Sequence, residues 1–220
     1  MVTAIQEALR APGLTLSALR LPPERQPGGR APAPGDLALV QAFVNTFWDL
    51  DRGGADRLGH PRALAGWLAS HGLVQAETRV GDADLERALD VREGLREMLF
   101  ANNGEEPDRS KLGRLNRALP AARLLVQLEP DARPELTVIG GDLDAALGAM
   151  AAMVAVAQVD GRWERLKACP GEHCGWAFYD HSRNQAGTWC SMSVCGSRAK
   201  ARHYRRRRSA ARRATDPTSP

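Results

Sequence analysis

Residues 169–208 read CPGEHCGWAFYDHSRNQAGTWCSMSVCGSRAKARHYRRRR and hold every cysteine of the 220-residue chain. The spacing is Cys169-x4-Cys174-x15-Cys190-x4-Cys195. Two close pairs separated by a stretch of this length suit a tetrahedral ion: each pair forms a knuckle, and an intervening hairpin brings the pairs together. Zinc favours a closed four-thiolate site of this kind, with Zn–S near ~2.3 Å and no open position for catalysis. The x4 spacing is looser than the commoner CxxC, so spacing alone leaves other readings open. These are disulfides, a redox switch with releasable zinc, an iron–sulfur cluster, or His173 or His181 in place of one thiolate. Nothing points to export, which weighs against disulfides. One structural Zn2+ per chain, held by Cys169, Cys174, Cys190 and Cys195, is the leading reading. Trp176 and Phe178 are expected to cover it, and Asp180 to orient the module through backbone amides or Arg183.

Residues 167–208 contain few large aliphatic side chains, so burial alone cannot offset the chain entropy of folding them. Metal binding can, by roughly 10 kcal/mol in small finger peptides. The ion would also pin a helix beginning near Cys190. From Ser197 that helix reads SRAKARHYRRRRSAARR, with Arg198, Arg202, Arg205 and Arg206 at i, i+4, i+7 and i+8, and with Lys200, His203 and Arg207 on a flank. Arginine and lysine neutralise phosphates, and arginine reads guanine edges bidentately. Arg183, Arg198, Lys200, Arg202, Arg205 and Arg206 are therefore the candidate nucleic-acid contacts. A solvated basic tail is the alternative.

Charge distribution supports a polyanion partner for this segment alone. Nine of the 30 Lys and Arg residues fall in residues 196–213 with no acidic residue among them, leaving 21 elsewhere against 26 Asp and Glu. The body is thus mildly acidic and the tail strongly basic. No basic start followed by an apolar run opens the chain, so no secretory signal is expected. The longest apolar stretch, residues 145–157, falls short of the ~20 residues a bilayer requires. A soluble, cytoplasmic and nucleoid-associated protein with no membrane partner is the expectation.

Upstream, residues 1–34 are rich in Pro and Gly and are expected to form a disordered leader, with a short helix over residues 5–10. Helical periodicity begins at residues 37–48 and recurs after His60-Pro61, where Gly72 should stop the helix. The clearest helix is residues 82–100, with Leu85, Ala88, Leu89, Leu95, Met98 and Leu99 as its buried stripe and Arg92, Glu93 and Arg96 among the residues covering the rest. A further helix spans residues 108–119. Residues 123–128 and 135–139 read as a β-hairpin. Asp142 should cap a last helix that is apolar all round, and hence central and buried. The expected fold is α+β: a mainly helical body with one β-hairpin over residues 35–160, then a small treble-clef-like or ribbon-like zinc module with a basic C-terminal helix over 161–210. Residues 211–220 are expected to be a disordered tail.

The stretch from Cys169 to Asn184, followed by Trp189-Cys-Ser-Met-Ser-Val-Cys-Gly-Ser-Arg-Ala-Lys-Ala-Arg, resembles the CGNR zinc finger. The body resembles the ABATE domain of stress-induced transcription regulators through Phe43-Val-Asn-Thr46, the Trp67-Leu68 helix and the Leu85–Leu99 stripe. The resemblance covers roughly residues 36–208. It implies zinc ligation by the four cysteines and DNA binding by the C-terminal module. Two positions depart from the pattern. Ser197 stands where the signature has Asn, and Gly187-Thr188 stands where a basic pair is common before Trp-Cys. Neither touches a zinc ligand, but both bear on the contacts made near that turn.

The functional expectation is a zinc-dependent, DNA-binding transcriptional regulator whose body senses a small-molecule effector or forms a homodimer. An RNA- or ribosome-associated protein using the same basic helix is the alternative, since RNA would be read by shape and 2′-OH contacts. No nucleophile–base pair or cofactor loop is evident, so no catalytic residue is assigned and the chain is not expected to be an enzyme. Asn45, Thr46 and Trp48 could line a ligand pocket or simply pack their helix. Trp163 and Arg165 are placed to dock the finger on the body.

Overall fold

The computed structural model describes residues 13–15, 19, 26–48, 55–119, 124–128, 130 and 134–215. The helix expected over residues 5–10 lies outside them, as do residues 216–220 of the expected tail. Among the described residues six α-helices build most of the fold: α1 (Leu37–Val44), α2 (Pro61–Ser70), α3 (Asp82–Ala101), α4 (Arg109–Ala118), α5 (Leu143–Val159) and α6 (Ser197–Thr215). The strands are β1 (Gly13–Thr15), β2 (Leu124–Leu128), β3 (Pro134–Ile139), β4 (Leu166–Ala168) and β5 (Ala177–Tyr179).

Local chemistry sets several boundaries. The His60 ring accepts from the Ala63 amide at the start of α2, and Pro61 occupies the first turn, where no intrahelical donor is needed. Gly72 follows at φ 71°, a conformation that ends the helix without Cβ strain. Asp108 caps α4 by accepting from the Ser110 and Lys111 amides, and Asp142 caps α5 by accepting from Ala145. Such caps contribute about 1 kcal/mol each.

The expected hairpin forms: β2 and β3 pair antiparallel with Leu124 opposite Val138 and Leu128 opposite Pro134. β1 adds to the other edge of β3, with Gly13 opposite Ile139, which gives the order β1-β3-β2. This strand falls within the expected leader. Helix α5 is the core of the body, with Ala146, Leu147, Ala149, Met150 and Met153 fully buried against α1, α3, β1 and β3. Helix α4 lies across α3, where a Cβ on Gly94 would overlap the Leu115 side chain, so this mid-helix glycine permits the close approach.

One expectation about α3 is corrected. Arg92 and Arg96, read as part of the polar cover beside the hydrophobic stripe, are only 3% and 1% exposed. The helix is covered on both faces: the hydrophobic stripe by the body, and the arginine side by the end of α1 and the cysteine module. A single-helix periodicity cannot reveal that second cover.

Candidate metal centre and basic helix

The cysteine module is built from a knuckle, a strand pair and a helix. Cys169 follows β4 and Cys174 precedes β5, so the β4–β5 pair flanks the first two cysteines instead of lying between the two pairs. Backbone bonds fold the knuckle: Cys169 N–H to Trp176 C=O at 2.9 Å, Cys174 N–H to Gly171 C=O at 2.8 Å, and Gly175 N–H to Cys169 C=O at 3.2 Å. A Cβ on Gly171 would sit 3.0 Å from the Cys195 sulfur and 3.3 Å from that of Cys169, so the packing around the sulfurs leaves no room for a side chain. Cys190 precedes, and Cys195 lies within, a widened helical turn, Met192–Gly196, that runs directly into α6.

All four sulfurs lie within 4.8 Å of one another. The Cys174–Cys190 and Cys190–Cys195 separations are both 3.7 Å. Sulfurs at the corners of a tetrahedron ~2.3 Å from a central zinc would be about 3.8 Å apart, so the donor set fits the ion in size as well as chemistry. Without a cation the thiols perturb one another strongly. Hydrogen bonds from Cys174 and Cys190 hold Cys169 down to about 2. Its hydrogen bond to Cys169 pushes Cys174 up to about 12, Cys190 is raised for the same reason, and burial raises Cys195. Four crowded sulfurs that cannot all ionise alone need a dication to do so. His181 instead bonds the Ala31 and Pro32 carbonyls, and the metal-competent cluster among the described residues is the four cysteines. Phe178 and Trp176 pack on the sulfurs as expected.

The loop that returns the chain to Cys190 is organised by Asp180, which is fully buried. Its carboxylate accepts from the Ser182 amide at 3.0 Å, the Ser182 hydroxyl at 2.6 Å, the Gly187 amide at 2.7 Å and Lys167 Nζ at 3.3 Å. Burial works against the charge, but these donors outweigh it and hold the carboxyl down at about 2. A Cβ on Gly187 would lie 2.8 Å from that carboxylate, which gives the departure at this position a steric basis. Ser197, the other departure, donates to the Met192 carbonyl at 3.0 Å and ties the first turn of α6 to the wide turn before it.

The module is docked on the body by polar contacts that the sequence did not disclose. Asn45, at the end of α1, donates to the Ala177 carbonyl at 2.9 Å and accepts from the Ala177 amide at 2.8 Å, pairing with β5 as a strand would. Arg96 donates to Gly175 C=O at 2.7 Å, Val44 C=O at 3.0 Å and Phe47 C=O at 2.7 Å. Asn102 and Asn103 reach the Trp163, Leu166, Ala168 and Thr188 carbonyls. From within the expected leader, Gln26 accepts from the Trp176 indole at 3.0 Å, and Arg30 donates to the Trp189 and Cys190 carbonyls. Trp163 is buried in the main core, whereas Arg165 bonds the Asp180 and Ser182 carbonyls inside the module. Thr46 bonds Phe43 C=O and Arg92, so Asn45 and Thr46 serve packing while Trp48 borders a cavity.

Of the candidate nucleic-acid contacts, Arg183, Arg198, Lys200, Arg205 and Arg206 are exposed. Arg202 is half-buried and paired with Glu172 of the knuckle at 3.2 Å. It marks the side of α6 that faces the module, and Arg198 lines the same cavity as Arg202. At about 100° per residue, the opposite side carries Lys200, Tyr204, Arg207 and Arg208. All four are exposed, Tyr204 by 64%. The face of Arg198, Arg202, Arg205 and Arg206 expected from the sequence is therefore the side of α6 that carries Arg202, where Glu172 pairs with it.

A helical body carrying a C-terminal four-cysteine finger with a basic helix is the class of protein these elements define. The ABATE family model, described as "Putative stress-induced transcription regulator", matches residues 35–161, and the CGNR zinc finger model matches residues 165–208. The chain belongs to the ABATE family and carries a CGNR zinc finger, whose four cysteines form a single candidate zinc site. No curated protein matches the chain. Among the described residues no helix is long and apolar enough to cross a membrane.

Proposed function

We propose that the protein is a zinc-dependent regulator of transcription that binds duplex DNA through α6. The observation that carries this reading is the continuity of Cys190, Cys195 and α6. Cys190 precedes the turn from which the basic helix springs and Cys195 lies within it, two residues before α6, so the ion would fix the direction of a helix with an exposed basic side. Lys200, Arg207 and Arg208 supply phosphate-neutralising charge, and Tyr204 an amphipathic surface suited to sugar or base contact. Arg183 and Arg205 extend the basic surface. The body is read as a sensing or dimerising part and not as an enzyme. Because a single helix reads few base pairs, a homodimer on two half-sites suits specific recognition.

The test is zinc stoichiometry together with duplex binding by the full chain and by Cys190→Ser. One zinc per chain, with binding lost in the variant, supports the reading. Binding that survives the substitution unchanged, or that favours A-form RNA over DNA at equal salt, overturns it.

A further inference from the structure

We propose that a cavity between the body and the root of α6 binds an uncharged planar aromatic ligand bearing carbonyl acceptors, of the quinone class. The cavity is about 470 Å³, within the range of small-molecule sites. One wall is apolar: Trp48, Trp176, Pro27 and Val194. The two indoles meet edge to face at 5.2 Å and 79°, and Trp48 keeps 48% of its surface exposed. Adjacent faces of this kind accept a flat ring by stacking on one indole against the edge of the other.

Two arginines among the lining residues select the ligand's polar groups. Arg202 is neutralised by Glu172 at 3.2 Å. Arg198 lines the cavity and has no partner among the described residues. The Arg198 guanidinium, exposed to solvent, only donates, so a ligand that offers an acceptor is the one it favours. The acceptor is a neutral one, for an electrostatic reason. Cys174, Cys190 and Cys195 also border the cavity, and four thiolates around a zinc dication keep a net negative charge that a single arginine does not overcome. A carbonyl oxygen satisfies Arg198 without adding to that charge. At the rim, His173 holds φ 63°, a conformation costly for a residue with a side chain and one that recurs at ligand sites.

The site joins Trp48 of the body to Arg198 of α6. It is therefore placed to pass ligand occupancy to the helix, a consequence that rests on the reading of α6 above, whereas the binding itself does not.

The experiment uses the zinc-loaded full chain and tetramethyl-1,4-benzoquinone, whose fully substituted ring leaves no position for thiolate addition. Titration is followed by the indole N–H signals of Trp48 and Trp176 in NMR spectra, without DNA. Saturable shifts of these two signals are expected, with binding weakened about tenfold in Trp48→Ala and several-fold in Arg198→Gln, and with benzoate binding more weakly than the quinone. Absence of saturable shifts, an affinity read at the Trp176 signal that is unchanged in both variants, or tighter binding of benzoate would overturn the proposal. None of those outcomes would touch the DNA reading, which the Cys190→Ser comparison tests separately.

Discussion

Arg96 of α3 donates to the backbone carbonyl of Gly175, inside the cysteine knuckle, at 2.7 Å. The same guanidinium bonds the Val44 and Phe47 carbonyls and pairs with Glu93 at 3.0 Å, so one side chain holds α1, α3 and the metal module in register. Glu93 is correspondingly held below its ordinary range, the arginines Arg96 and Arg92 outweighing burial. The strand pair of the finger thus shares the body's core through Leu166, Ala168, Ala177 and Tyr179, while the sulfurs cluster separately with Trp176 and Phe178.

Replacing Arg96 with Met should be among the most damaging single changes. It leaves three carbonyls and a half-neutralised Glu93 in a buried setting, a loss of about 3–5 kcal/mol. Urea denaturation of the zinc-loaded protein measures it. A loss below about 1 kcal/mol would mean that water replaces the guanidinium and that the register comes from elsewhere.

Asn45→Ala removes both hydrogen bonds to Ala177 and should cost about 2 kcal/mol. Because these bonds join the two parts, zinc release and body unfolding, expected to coincide in the parent protein, should separate in the variant. Parallel measurement of zinc release with a chelating dye and of helix loss by circular dichroism tests this. Coincident transitions in the variant would show that Asn45 does not couple the two parts.

Asp180 predicts a pH dependence. Its carboxyl is held at about 2 in the folded protein against an ordinary value of 3.8. A depressed carboxyl contributes stability that is fully present above the unfolded value and is lost as pH falls towards the folded one. Asp180→Asn should therefore cost about 2 kcal/mol at pH 7, with the gap to the parent closing between about pH 5 and pH 2. A gap that stays constant across that window would assign the loss to geometry and not to charge.

Gly171→Ala tests the sulfur cradle. The added methyl meets two sulfurs, at 3.0 and 3.3 Å, so the sulfurs or the knuckle backbone must give by a few tenths of an ångström. Zinc affinity in a chelator competition should fall by about tenfold or more while α3 and α5 remain folded. An unchanged affinity would show that the knuckle backbone shifts freely.

On α6, the orientation of the helix predicts unequal arginines. Neutralising Lys200, Arg207 or Arg208 with Gln should weaken duplex binding and flatten the salt dependence by about one unit per lost phosphate contact. Arg202→Gln should change it little, since that side chain is held by Glu172 at 3.2 Å. Equal effects at all four positions would indicate a non-specific basic tail.

The sequence by itself determined what depends on near neighbours. The zinc ligands were legible because each pair is closed by a short turn and their chemistry requires no distant partner. The helices of the body, the cap at Asp142, and the β2–β3 hairpin were legible because apolar period and turn chemistry are local. Only the tertiary structure decided the rest. Arg92 and Arg96 look like solvent-facing residues in any window of α3, and they become buried through carbonyl and carboxylate partners as much as 79 positions away. Gln26 and Arg30 sit in a Pro- and Gly-rich stretch with no helical or strand period, yet they close over a module some 150 to 160 residues further on. Which side of α6 meets the module was likewise fixed by the Glu172–Arg202 pair. A charged or amide side chain carries no sign in the sequence of whether its partner is water or a distant carbonyl, and that choice is made when the chain closes on itself.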